Sequence, residues 1–300
     1  MSFKIFSLSF LLSSFSFSVC NQLILDNQLP AAGFRHVANS VFSLLDPHHL
    51  ASDVITVVQH GAEINVKFSY GPLRKDLEDE DIEVWMDTCK DKLVLLGTYQ
   101  TDSDGRVKTT LTTQQLPGKG AYKIWLRTKG DNTLTSFMLR VLEPGTSMAI
   151  FDIDGTLTYS EINTNTRTGA VETTHAVKAL GREIVYLSGR HYFLTRWTRT
   201  FLTNHQFAEG TLVVGQSICD VIPSDSHVGE FKSRYLKYLK DLGLILERAY
   251  GDRTSDVYAY QSVQIPNSRI FILGNNGGYL GAVALGEDYL YHYTQISSNS

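Results

Sequence analysis

The feature that most narrows what this chain can fold into is a change of hydrophobic pattern at Glu143-Pro144-Gly145. Before that point apolar residues alternate. Glu63-Ile64-Asn65-Val66-Lys67-Phe68 and Asp81-Ile82-Glu83-Val84 each turn every second side chain to one face. Period two with one solvated face is the mark of an antiparallel strand. Further runs at 93–99, 107–111, 121–126 and 136–142 are separated by Gly71-Pro72, Asp102-Ser103-Asp104-Gly105, Pro117-Gly118 and Gly130-Asp131-Asn132. Strands at this spacing predict an all-β antiparallel sandwich of about seven strands, over residues 45–143. After the break, Met148-Ala149-Ile150-Phe151 is continuously apolar, as a strand covered on both faces must be. Helical stretches at 171–180, 191–204, 230–242 and 255–263 then alternate with strands at 184–187, 211–214, 248–250 and 270–273. That alternation predicts an α/β region over 147–293, a Rossmann-like parallel sheet with helices on both faces. The polar tail beyond Tyr293 is expected to be unstructured.

Composition excludes some function classes. A formal net charge of −4 and no run of five basic residues leave no footprint for nucleic acid or for a polybasic membrane anchor. Met1 to Lys4 supplies a short positive start, 5–19 is apolar and Ser-rich, and Ser18 and Cys20 precede Asn21. This pattern predicts a signal peptide over residues 1–20 and a secreted or luminal product. The run falls short of the ~20 apolar residues of a spanning helix. Beyond it, Cys89 and Cys219 could pair in an oxidising compartment or sit apart as small buried hydrophobes.

Four polar clusters fall directly after predicted strands, on the rim where open α/β sheets bind ligands. They are Asp152-Ile153-Asp154-Gly155-Thr156, Ser188-Gly189-Arg190, Lys232, and Gly251-Asp252-Arg253 with Asp256 one helical turn on. Asp152 and Asp154, two residues apart at a strand end, share a side. Ser188 and the Gly189 amide, read as the entry to a helix, suit a phosphate group. Each cluster alone is commonplace: Asp-x-Asp is usually a turn, an isolated Lys usually a solvated charge, and Asp252 and Asp256 could merely cap a helix. Their order and common placement within one region carry the signal.

That order resembles the motif series of the haloacid dehalogenase superfamily. Residues 167–171, 185–190 and 250–260 are more closely similar to the lipin-type (LNS2) domain. This domain is found in lipin phosphatidate phosphatases and at the C-terminus of membrane-associated phosphatidylinositol transfer proteins of the retinal degeneration B group. Residues 68–73 and 101–106 resemble the segment before that domain in the transfer proteins. The resemblance implies a haloacid dehalogenase fold, with Asp152 as nucleophile and Asp154 as general acid and base. It also implies Ser188, Gly189 and Lys232 around the transferring phosphoryl group, and Mg²⁺ held by Asp152, Asp154 (through its carbonyl) and Asp252, with Asp256 facing it. Arg190 and Arg253 become head-group contacts, and the short 158–170 stretch leaves the site open. The expected activity is a Mg²⁺-dependent phosphatase acting on phosphatidate or a related phospholipid, with peripheral membrane contact. Two alternatives stand: a lipid-sensing module that binds phosphatidate without catalysis, and a phosphatase of soluble phosphomonoesters. In the transfer-protein group the first aspartate is typically replaced, whereas here both acids are present.

Overall fold

The computed structural model describes residues 29–88, 93–160, 165–215 and 225–298, with side chains described outside 225–227. The expected signal peptide, Cys89 and Cys219 lie outside the described residues.

The N-terminal region begins with a short helix, α1 (Val37–Phe42), and ten strands follow. They are β1 (Leu50–Ala51), β2 (Val54–Val57), β3 (Ala62–Lys67), β4 (Ser69–Tyr70), β5 (Lys75–Asp76), β6 (Asp81–Asp87), β7 (Leu93–Gln100), β8 (Arg106–Leu111), β9 (Gly120–Thr128) and β10 (Leu134–Leu142). One sheet has the order β2-β10-β9-β6-β7, a second β1-β3-β8, and β4 pairs with β5. Alternation in sequence becomes alternation in burial: Ala62, Ile64 and Val66 of β3 are buried while Glu63 and Asn65 are exposed. Ile64, Val66, Val84, Leu126 and Phe137 meet in one apolar core between the sheets. Not every pairing is antiparallel, as β2 runs parallel to β10 from Val54↔Leu139 to Val57↔Leu142. A hydrophobic period reports which side of a strand is buried and is silent on its direction, so the sequence could not show this.

The second region contains β11 (Ser147–Phe151), α2 (Ala170–Ala179), β12 (Glu183–His191), α3 (Thr195–Asn204), β13 (Gly210–Gly215), α4 (Asp225–Asp241), β14 (Ile245–Gly251), α5 (Thr254–Ser262), β15 (Ile270–Leu273), β16 (Val283–Gly286) and α6 (Leu290–Ser297). Its six strands are parallel and ordered β13-β12-β11-β14-β15-β16. This is the order of a doubly wound sheet, whose switch point falls at the central strand. β11 is that strand, and its Phe151 stacks on Tyr250 of β14 at 4.2 Å between ring centres. On one face Ile150, Val185 and Leu187 pack with Leu236, Leu239 and Tyr260. On the other, Phe151, Ile153 and Tyr186 pack with Val177, Phe201 and Ile296. The last of these corrects the expectation of an unstructured tail: α6 continues to Ser297, anchored by buried His292 and Ile296.

The two regions share structure. Ile55, Val57 and Leu142 of the first join the core formed by Ile150 and Leu239 of the second. Asp53, fully shielded, accepts from Met138 N at 2.8 Å and Leu212 N at 2.9 Å, and from both terminal nitrogens of Arg199 at 3.1 and 3.0 Å. One carboxylate thereby ties β10, β13 and α3 together.

Candidate active site

β11 ends at Phe151 and delivers Asp152 to the carboxyl rim, where its amide donates to Tyr250 O at 3.0 Å. Gly155 follows with φ +78°, a backbone conformation that disfavours any side chain. A Cβ there would lie 2.1 Å from Asp252 Oδ2. The bare glycine is therefore what lets the loop after β11 and the loop after β14 touch. Thr156 Oγ1 spans the gap, 3.0 Å from Asp152 Oδ2 and 3.3 Å from Asp252 Oδ1. Arg167 supports the same loop by donating its Nε to Gly155 O at 2.8 Å, and Asn276 Nδ2 donates to Asp252 O at 2.7 Å.

Lys232 enters from α4. Its ammonium lies 2.6 Å from Asp152 Oδ1 and 2.5 Å from Asp256 Oδ1, and the residue is 3% exposed. Taken singly it reads as a solvated charge; the fold buries it between two carboxylates. Asp256 opens α5 and its second oxygen accepts from the amides of Asp252 at 3.2 Å and Arg253 at 3.1 Å. It thus caps the helix, as the sequence allowed, and also holds the lysine, a contact the sequence did not show.

Asp152, Asp252 and Asp256 each present an oxygen within 4.8 Å of the others. Three carboxylates against one ammonium leave an excess of negative charge in a buried place, and the proton equilibria respond. Burial pushes Asp152 up to about 8, with Asp256 and Asp252 adding to the rise and Lys232 opposing it. Burial and then Asp256 push Asp252 up to about 6. Burial also works against the Lys232 ammonium, but Asp152 and Asp256 outweigh it and raise its pKa. A buried all-oxygen donor set in want of positive charge fits a hard divalent cation such as Mg²⁺.

Asp154 faces elsewhere. Its carboxylate is gripped by Arg190, with Nη2 at 2.7 Å and Nε at 2.9 and 3.1 Å, and Ser188 Oγ donates to it at 3.3 Å. Arg190 is buried, donates onward to Thr198 Oγ1 at 3.1 Å, and lies 4.7 Å over the Trp197 ring. Its guanidinium is committed to the interior of the site instead of reaching out as a head-group contact. Ser188-Gly189-Arg190 is also not a helix entry. β12 extends to His191 through a register shift against β13, and α3 starts only at Thr195. The Gly189 position is explained by packing, since a Cβ there would come within 2.7 Å of Val228 Cγ1. Arg253 is exposed at the start of α5. The expected openness holds for only part of the site: Asp152, Ser188 and Lys232 are buried, and Asp154 and Asp252 are half-buried. Thr198 and Asn276 drew no attention in the sequence. They act by hydrogen bonds across the fold, which no local spacing announces.

Fold and site together define a doubly wound α/β domain with an acid–lysine cluster at its strand ends, preceded by a β-sandwich-like region. Residues 149–274 match the LNS2 domain of PITM 1-3, and residues 47–141 match the beta-sandwich domain of PITM 1-3. Both regions of the chain thus belong to the family of membrane-associated phosphatidylinositol transfer proteins and retinal degeneration B. The chain is 31% identical over 263 residues to Protein retinal degeneration B of Drosophila melanogaster, covering 84% of this chain and 20% of that protein. It is 28% identical to Membrane-associated phosphatidylinositol transfer protein 1 of Rattus norvegicus, covering 84% of this chain and 21% of that one. Against Membrane-associated phosphatidylinositol transfer protein 3 of Homo sapiens it is 29% identical, covering 76% and 23%. The chain spans about a fifth of the length of these relatives.

Proposed function

We propose that this chain is a divalent-cation-dependent phosphomonoesterase of the haloacid dehalogenase type, acting on a lipid phosphate of the phosphatidate class. The observation that carries this reading is the buried Asp152–Lys232–Asp256 chain with Asp252 beside it, on the rim of the central strand. Lys232 and Thr156 fix the Asp152 carboxylate from two sides, as a nucleophile requires. An Asp152 oxygen attacks phosphorus while the ester P–O bond breaks, giving an aspartyl-phosphate. The departing alkoxide takes a proton from Asp154. Water then attacks phosphorus, its proton returns to Asp154, and the Asp152–phosphorus linkage opens to release phosphate. Asp152, Asp252 and Asp256 would hold Mg²⁺, which supplies charge neutralisation for the phosphoryl oxygens. Membership in a family of phosphatidylinositol transfer proteins supports a lipid carrier for the phosphate.

A second reading has its own observation. For Asp154 to donate a proton, Arg190 must first release it, because the guanidinium occupies both oxygens of the carboxylate. If that grip is permanent, the chain binds phosphatidate without turning it over. The deciding experiment measures phosphate release from phosphatidate vesicles and from p-nitrophenyl phosphate, with Mg²⁺ and with chelator, for the wild type and Asp152→Asn. Turnover that needs both Mg²⁺ and Asp152 supports the enzyme. Vesicle binding without turnover on either substrate supports the binding module and removes the enzyme.

A further inference from the structure

On the face of the parallel sheet covered by α6, a cavity of about 450 Å³ lies between that helix and β14, β15 and β16. It reaches the amino ends of the strands, where Leu180 and Arg269 stand, and the phosphate chemistry does not use it. Phe271, Val283, Leu285 and Ile296 give it apolar walls. Two guanidinium groups line it as well. Arg248 is on the same side of β14 as Tyr250, two residues on. It is 5% exposed, and its Nε finds no hydrogen-bond partner among the described residues. A shielded charged donor left unpaired is costly, and an acceptor placed in the cavity removes that cost. Arg269 is exposed just before β15 and makes no ion pair among the described residues.

The charge balance points to the ligand. Among the described residues no carboxylate lines the cavity. Glu247 accepts from Arg248 Nη2 at 2.9 Å, but it also accepts from Arg182 Nε at 2.7 Å and Nη2 at 3.1 Å. One negative charge thus faces two positive ones. The acids between β16 and α6 are engaged elsewhere: Glu287 meets Arg167 at 3.3 Å, and Asp288 accepts from Leu290 N at 3.0 Å. His292, in the same wall, is kept neutral by burial and then by Arg248, and so adds no further charge. Excess positive charge beside apolar walls fits an organic anion, its acidic group on Arg248 Nε and Arg269 and its body against Phe271 and Ile296. We propose that this cavity is a ligand site, separate from the phosphate-handling rim, for a small carboxylic acid with an apolar body. One residue joins the two places. Tyr250 Oη lies 3.0 Å from His292 Nε2, its ring stacks on Phe151 at 4.2 Å, and its carbonyl accepts from the Asp152 amide at 3.0 Å. The site stands whether or not Asp152 carries out catalysis.

The test is calorimetric titration of the full chain, in chelator, with 1-naphthoate, with octanoate and with the neutral 1-naphthol. The two carboxylates supply an aromatic and an aliphatic body, and the tighter binder identifies which the walls prefer. At least one is expected to bind one-to-one, and 1-naphthol about tenfold or more weaker than 1-naphthoate. Arg248→Met is expected to weaken binding about 100-fold and Arg269→Ala about tenfold. Arg269 is exposed, so its variant should keep the wild-type melting temperature and serves even where Arg248→Met fails to fold. Asp152→Asn should bind as the wild type does. Failure of both carboxylates to bind overturns the site, as does 1-naphthol binding as tightly as 1-naphthoate. So does an affinity that Arg269→Ala leaves unchanged, or one that Asp152→Asn abolishes, since the latter would place the probe on the catalytic rim. Absence of phosphatase turnover with carboxylate binding intact leaves the site standing, so the two readings fail independently.

Discussion

At the residue scale, the site is a place where function and stability oppose each other. Asp152 sits buried among carboxylates, and its pKa is pushed up to about 8. An acid whose folded pKa exceeds its unfolded value stabilises the fold only while protonated, and that contribution is lost as pH rises through 8. At neutral pH in chelator, Asp152→Asn should therefore melt higher than the wild type, by about 4 °C or more. Mg²⁺ should stabilise the wild type and help the variant less. Differential scanning calorimetry checks both, and a variant that melts lower in chelator contradicts the electrostatic account. Asp252 titrates near 6 for related reasons, so Mg²⁺ should displace protons and bind more tightly between pH 6 and 8. Calorimetric titration in buffers of different ionisation enthalpy counts those protons; no uptake by buffer would show that the acids were already ionised. Most of the cluster could be read in sequence, because Asp152, Lys232, Asp252 and Asp256 each follow a strand. The Asp154–Arg190 grip could not. It depends on β12 running four residues past Leu187, to His191, which aims Arg190 inward.

At the element scale, hydrophobic period located the longer strands and helices but missed α1, β1, β2, β4, β5, β16 and α6, and failed where another term decides. α6 is polar enough to read as a tail, yet His292 meets Tyr250 Oη at 3.0 Å and Ile296 fills the core. Burial of its imidazole lowers His292 to about 4, and burial lowers His49, packed between Phe68 and Tyr70, to about 3. Both histidines are neutral in the fold and gain a proton on unfolding below ~6.5. Their contribution is whole above that pH and is lost as pH falls through 4 and then 3. Urea unfolding at pH 7.5 and 5.0 should show a smaller difference for His49→Gln/His292→Gln than for the wild type, by about 4 kcal/mol, half from each imidazole. An equal difference in both proteins would place these histidines in water.

At the scale of the whole molecule, the change of pattern at 143–145 marks the passage between two regions but does not show that they are bolted together. The bolt is Asp53, an unremarkable aspartate in sequence that is shielded beneath Arg199 and accepts amides from β10 and β13. Removing it strands two buried amides and a guanidinium, so Asp53→Ala should cost about 3–5 kcal/mol. Thermal unfolding should split into two transitions as the regions uncouple. A single transition within about 1 kcal/mol of the wild type would mean that the shared apolar core alone joins them. Arg74 over the Phe193 ring, at 4.8 Å, adds a second contact across the same joint.

The central claim is that Asp152 carries phosphate during turnover. Acid-quenching the Mg²⁺-loaded protein during hydrolysis of p-nitrophenyl phosphate, followed by peptide mass spectrometry, tests it directly. The account predicts a phosphoryl adduct on the peptide bearing Asp152, absent in Asp152→Asn and in chelator. Turnover with no adduct, or with the adduct on another residue, would contradict it.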